Sequence, residues 1–172
     1  MVYDKISYIE DYELLSGAQL REAEHQMGRE LLRSLLKANF GVTDYEIGIG
    51  EHGKPYLIGL PYHFSISHSH GIVACAVADV PVGVDIERVI PVDGARIKGL
   101  AKRFFTKGEL EYILSAQDTA RAFYCIWTRK ESVSKCTGLP FLKMREYDAS
   151  SESEKIQTRV SDTYVFSIAI NI

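Results

Sequence analysis

The stretch "PVGVDIERV" (residues 81–89) decides how the rest of the chain is read. Val82, Val84 and Ile86 alternate with Gly83, Asp85 and Glu87, the period-two pattern of a half-buried strand whose other face carries two carboxylates. On one face the two lie about 6–7 Å apart. Like charges at that distance repel by about 2–3 kcal/mol at an effective dielectric of 20. Water at a solvated strand edge removes most of that cost. A divalent cation removes it differently, by turning repulsion into shared attraction, and Mg²⁺ favours carboxylates together with water and phosphate oxygens. The strand alone leaves both readings open.

Ahead of this strand, Leu20, Ala23, Met27, Leu31 and Leu35 recur at helical spacing, so residues 18–39 read as one amphipathic helix with Gly41 as its C-terminal cap. Strand-like runs follow at 45–50, 63–67 and 71–79. Beyond Pro91 the pattern turns helical at 95–105, 107–116 and 119–136, and the chain closes on two alternating runs, 155–162 and 163–172, that suit a hairpin. Residues 148–157 are the most loop-like. The order helix, strands, helices, strands suggests an α+β fold of two helix-plus-sheet units meeting near residues 80–90, without a visible repeat or a flexible linker.

The 172 residues are 46% hydrophobic and 25% charged, a composition that suits a globular protein with one good core. The net charge of −3 disfavours a nucleic-acid partner. The longest apolar run, 71–84, is broken by Asp79 and Pro81 and is too short for a bilayer, and residues 1–20 carry no secretory pattern. Three cysteines without CxxC spacing argue against a disulfide framework. A cytoplasmic protein is expected, with no membrane association.

Three further motifs can carry chemistry. In "WTRKESVSK" (127–135) Glu131 and Lys135 share a helix face, as a surface ion pair or as a third carboxylate and a phosphate-contacting cation. "FSISHSHG" (64–71) ends a strand with Ser67, His68 and Ser69, either ordinary strand-end polar groups or phosphate ligands; a Ser-His nucleophile is discounted because no GxSxG exists. "HGKPY" (52–56) is a turn with Lys54 at its tip.

Taken in order, "GKPY", "HFSISHS", "VGVDIER", "RFF" and "WTRKESVSK" resemble the 4′-phosphopantetheinyl transferase superfamily, in its larger, monomeric, surfactin-synthetase-activating type. The resemblance spans about residues 52–140. It implies a pseudo-dimer of two similar halves, 1–86 and 87–172, with coenzyme A in the cleft between them. It also implies an enzyme that moves phosphopantetheine from coenzyme A to a serine of an apo acyl or peptidyl carrier protein, in fatty-acid or secondary-metabolite synthesis, releasing adenosine 3′,5′-bisphosphate. On this resemblance Asp85, Glu87 and Glu131 hold Mg²⁺, or Mn²⁺, and Glu131 is also the base for the incoming serine. Lys135 neutralises phosphate charge. Gly53, Lys54 and Pro55 border the adenine and phosphates, and Ser67 and His68 bind the 3′-phosphate or diphosphate. Arg29 matches a family helix arginine for the 3′-phosphate, with Arg21 and His25 nearby on the same helix. The basic run around Lys98 and Lys102, with Arg103 and Lys107 near it, is either a solvated face or a docking helix for an acidic carrier. Two other readings use the same residues: a metal-dependent phosphohydrolase built on His63, His68, Asp85 and Glu87, and a non-catalytic coenzyme A or carrier-binding module.

Overall fold

The computed structural model describes residues 1–150 and 153–172. Its first long helix, α1 (Gly17–Phe40), is specified at both ends. Ser16 accepts from the Gln19 N–H while the Gln19 side chain accepts from the Ser16 N–H, and Gly41 closes the helix in the left-handed region at φ 68°. The strand β1 (Val2–Tyr8) precedes it, and β2 (Ile47–Ile49), β3 (Pro55–Leu57), β4 (His63–Ser69), β5 (Ile72–Ala78) and β6 (Val82–Arg88) follow. Then come α2 (Gly94–Phe104), α3 (Lys107–Ser115) and α4 (Thr119–Thr137), and the chain ends in the hairpin β7 (Ile156–Val160) and β8 (Tyr164–Ile170).

Two three-stranded antiparallel sheets carry the fold, ordered β1-β5-β4 and β6-β8-β7, with β2 and β3 as a separate small hairpin. β5 is buried along its whole length because both of its faces are covered. Val73, Cys75 and Val77 meet Leu31, Leu32, Leu35 and Leu36 of α1. Ile72, Ala74, Ala76 and Ala78 meet Val82, Val84 and Ile86 of β6 and Phe166 and Ile168 of β8. Truncating any of the α1 leucines to alanine is expected to cost about 2–5 kcal/mol. A third cluster joins Ile97 and Ala101 of α2, Ile113 of α3, Phe123 and Ile126 of α4, and Phe105.

The expected α+β class holds. The order differs at the start, where β1 pairs with β5 from Val2↔Ala78 to Tyr8↔Ile72. Asp4 and Lys5 mask the alternation of "VYDKISY", yet Val2 and Ile6 reach the core between the sheets and Tyr3 packs on the α1 side. The loop-like stretch 148–157 lies partly outside the described residues; within them, Ser153 and Ile156 form a bridged turn into β7. Among the described residues no helix is long and apolar enough to cross a membrane.

Candidate active site

The site begins with a glycine. A Cβ on Gly83 would stand 2.1 Å from the Ser132 carbonyl oxygen and 2.2 Å from the Cys136 nitrogen, so only glycine lets α4 lie directly on β6. Two residues on, Asp85 points to the same side and meets α4, which presents Glu131 and Lys135 one turn apart. Lys135 Nζ donates to Asp85 Oδ1 at 2.7 Å and to Ser67 Oγ at 3.0 Å, and Ser67 Oγ donates to the same carboxylate oxygen at 2.7 Å. Asp85 is 4% exposed, and its Oδ2 is buried without a hydrogen-bond partner.

Ile66, Ser67, His68, Asp85, Glu87, Trp127, Glu131 and Lys135 line one cavity of about 330 Å³. Burial, then the negative charge of Asp85, pushes the Glu87 carboxyl up to about 7, against a Ser69 hydrogen bond and the charges of Lys135 and Arg96. Burial and Asp85 likewise push Glu131 up to about 7, with Lys135 opposing and Glu87 adding. These carboxylates stand in an environment short of positive charge. Among the described residues no three His, Cys, Asp or Glu side chains are already gathered around one point as a finished metal centre.

Glu24 of α1, 4% exposed, accepts from His68 Nδ1 at 2.9 Å and from the Gly71 N–H at 2.9 Å. Burial lowers the His68 pKa, and Glu24 opposes that shift. The His25 ring lies edge-on to His68 at 5.5 Å. A second cavity, of about 400 Å³, shares Ile66 and Lys135 with the first and is lined by Gly53, Lys54, Pro55, Gly138 and Phe141. There the Lys54 ammonium donates to the Cys136 carbonyl at 2.6 Å, at the C-terminus of α4, where a cation suits the exposed carbonyls.

The structure therefore brings Asp85, Glu87, Glu131, Lys135, Ser67 and His68 together and places Gly53, Lys54 and Pro55 next door. Arg29 lies apart, with Arg33 and Tyr45 on another cavity. His63 also falls elsewhere, beside Lys54 and Tyr56, because it and His68 project from opposite faces of β4. Glu24 and Trp127 are not among the expected site residues, and Ser69, a candidate phosphate ligand in the sequence, bonds Glu87 instead. Glu24 had left a signal: it sits one turn from both Leu20 and Gly28 on the inward face of α1, where a carboxylate needs a partner.

A family model described as the 4′-phosphopantetheinyl transferase superfamily matches residues 81–168, which takes in β6, all of α4 and most of β8. The 4′-phosphopantetheinyl transferase Sfp of Bacillus subtilis is 36% identical over 117 residues, covering 65% of this chain and 50% of that protein. The 4′-phosphopantetheinyl transferase psf-1 of Bacillus pumilus is 41% identical over 117 residues, covering 65% and 48%. HetI of a Nostoc species, also a 4′-phosphopantetheinyl transferase, is 35% identical over 149 residues, covering 76% and 60%. The chain spans about half the length of the first two. With the family model covering β6 and α4, the two elements that build the carboxylate cavity, the chain belongs to the 4′-phosphopantetheinyl transferase superfamily.

Proposed function

We propose that this chain transfers phosphopantetheine from coenzyme A to a serine hydroxyl of an apo acyl or peptidyl carrier protein. The observation that carries this reading is the cavity itself, which Asp85, Glu87, Glu131 and Lys135 all line and where one oxygen of Asp85 is buried and unpartnered.

In the reaction the serine oxygen forms a bond to the phosphorus that bears pantetheine. The bond from that phosphorus to the bridging oxygen breaks, and adenosine 3′,5′-bisphosphate leaves with the electron pair. The serine proton must go to a base, and Glu131, a carboxylate on the cavity wall, supplies one, directly or through water. Lys135 lies on the wall shared by the two cavities, where its ammonium can neutralise phosphate charge. The nucleophile comes with the carrier, so the enzyme needs no Ser-His-Asp set, and catalysis is positioning plus charge neutralisation.

The residues present suit a hard divalent cation: three carboxylates on one cavity, an orphaned carboxylate oxygen, and two acids raised by burial and by the charge of Asp85. Asp85, Glu87 and Glu131 would hold Mg²⁺ or Mn²⁺, which when bound supplies charge stabilisation to the diphosphate. His68, its Nδ1 tied to Glu24, has Nε2 left for a phosphate oxygen. The turn at Gly53, Lys54 and Pro55 borders the second cavity, the candidate place for the adenine end of coenzyme A. Arg29 remains the candidate for the 3′-phosphate. The two halves, 1–86 and 87–172, then form a pseudo-dimer around the cleft, and the basic face of α2 meets an acidic carrier. The phosphohydrolase reading loses support because His63 and His68 line different cavities.

The test is intact-mass spectrometry of an apo acyl carrier protein incubated with the chain, coenzyme A and Mg²⁺, with an EDTA control. A metal-dependent gain of one phosphopantetheine is the expected result. No gain across several acyl and peptidyl carriers, with coenzyme A still bound, makes the chain a binding module instead.

A further inference from the structure

β4 is an edge of the first sheet and β6 an edge of the second, and the two sheets share no backbone ladder. The edges nevertheless meet, through serines. Ser65 Oγ accepts from the Val84 N–H at 3.0 Å, Ser67 Oγ from the Ile86 N–H at 3.3 Å, and Ser69 Oγ from the Arg88 N–H at 3.3 Å. All three serines are buried. The offset is 19 residues at every rung, so the strands run parallel, with hydroxyls standing where a neighbouring strand would place carbonyls. Buried N–H groups need acceptors, and these serines supply them.

A hydroxyl offers one donor and two acceptor positions. Once it has accepted from β6, its own proton remains to be aimed. Next to the first rung β6 has Gly83, with no side chain. Next to the second it has Asp85, to which Ser67 donates, and next to the third it has Glu87, whose Oε2 accepts from Ser69 at 2.6 Å. "SISHS" thus runs in register against "GVDIE", and a slip of one residue would put Ile66 and His68 on the seam instead.

We infer that the alternating serines of β4 are one device with two duties: they seal the junction between the sheets, and Ser67 and Ser69 orient the carboxylates of β6, which makes Ser69 a positioning residue for Glu87. The inference rests on the proposed reading of Glu87 as a cation ligand. Ser67 also touches Lys135, so its substitution mixes effects, whereas Ser65 and Ser69 make a controlled pair in which both seal the seam and only one touches a carboxylate.

The experiment is Mn²⁺ binding to the full chain with coenzyme A present, followed by the electron paramagnetic resonance of free Mn²⁺, alongside thermal unfolding. S65A and S69A should both lower the melting temperature. S69A should also weaken Mn²⁺ binding by about tenfold or more, the scale for losing a hydrogen-bond partner of a metal ligand. S65A should stay within about twofold of wild type and S69T should largely restore affinity. If S69A does not fold, S69C takes its place, with the same expected loss. S69A binding Mn²⁺ like wild type, or S65A weakening it equally, overturns the inference. Wild type binding no Mn²⁺ overturns the cation reading, and this inference with it, and so marks the two failures apart.

Discussion

Two lysines five residues apart on α4 sit in ion networks of opposite character. Lys130 and Glu109 are both 0% exposed, and everything they offer is taken. The Lys130 ammonium donates to Glu109 Oε2 at 3.0 Å, the Met144 carbonyl at 2.7 Å and the Tyr147 carbonyl at 2.6 Å. Glu109 accepts further from the Thr106 and Ala149 N–H groups. That network is closed, and it ties the segment after α4 to the start of α3. The Lys135 network is open: Asp85 keeps an unpartnered oxygen, and Glu87 and Glu131 are pushed toward neutrality beside it. The same nine-residue motif therefore serves stability with one lysine and leaves binding capacity around the other.

The sharpest break in that comparison is at the open network. E131Q should cut transfer by about 10²- to 10⁴-fold, the range for a positioned general base, and shift the melting temperature by only a few degrees. A variant keeping a tenth of the wild-type rate takes Glu131 out of the proton transfer. At the closed network E109Q should act in reverse. It leaves Lys130 buried opposite a neutral partner, which costs about 3–5 kcal/mol, or a fall of about 10 °C in melting temperature for a chain of this size. Calorimetry showing a loss under about 1 kcal/mol would mean that the carbonyls of Met144 and Tyr147 suffice for the ammonium.

How far the sequence revealed this differs between the two networks. The carboxylates of β6 were legible because period two places Asp85 and Glu87 together, and i, i+4 spacing places Glu131 with Lys135. Neither period says that Lys135 leaves Glu131 for Asp85; that follows from the close approach at Gly83. The closed network was illegible, since Glu109 and Lys130 lie 21 residues apart on different helices and each looks like an ordinary surface charge. β1 escaped because Asp4 and Lys5 interrupt its alternation, and Glu24 because a single carboxylate in a helix stripe resembles an exposed residue. Local periods report which face a residue takes, whereas tertiary approach decides its partner.

The open network should also show itself in the pH dependence of metal-free stability. Glu87 and Glu131 have folded-state pKa values raised from 4.5 to about 7. Between those values the unfolded chain has released protons that the folded chain keeps, so their contribution is fully present below about pH 4.5 and is lost as pH rises through about 7. The loss is on the order of 3 kcal/mol for each carboxyl. Histidines titrate in the same range, so the measurement is the difference in unfolding free energy between wild type and an E87Q/E131Q variant at pH 4.5 and 7.5. Stability that is flat in that difference breaks the contrast, for it would mean that the carboxylates are as well compensated as Glu109. Saturating Mg²⁺ should flatten it too, by supplying the missing charge.

The smallest effect belongs to the rim. On α2, Ile97 and Ala101 are buried while Lys98, Lys102 and Arg103 face outward, so the basic face forms no part of either network. Exposed charges of this kind contribute little to stability, yet they steer an acidic partner by long-range attraction that salt screens. The K98E/K102E variant should melt within about 2 °C of wild type and bind coenzyme A equally well. It should raise the apparent KM for an acidic carrier by about three- to tenfold at low salt, with the difference shrinking as salt is added. An unchanged KM leaves α2 as a solvated face. A change in coenzyme A affinity would instead tie α2 to the open network, through Arg96, whose charge already reaches Glu87.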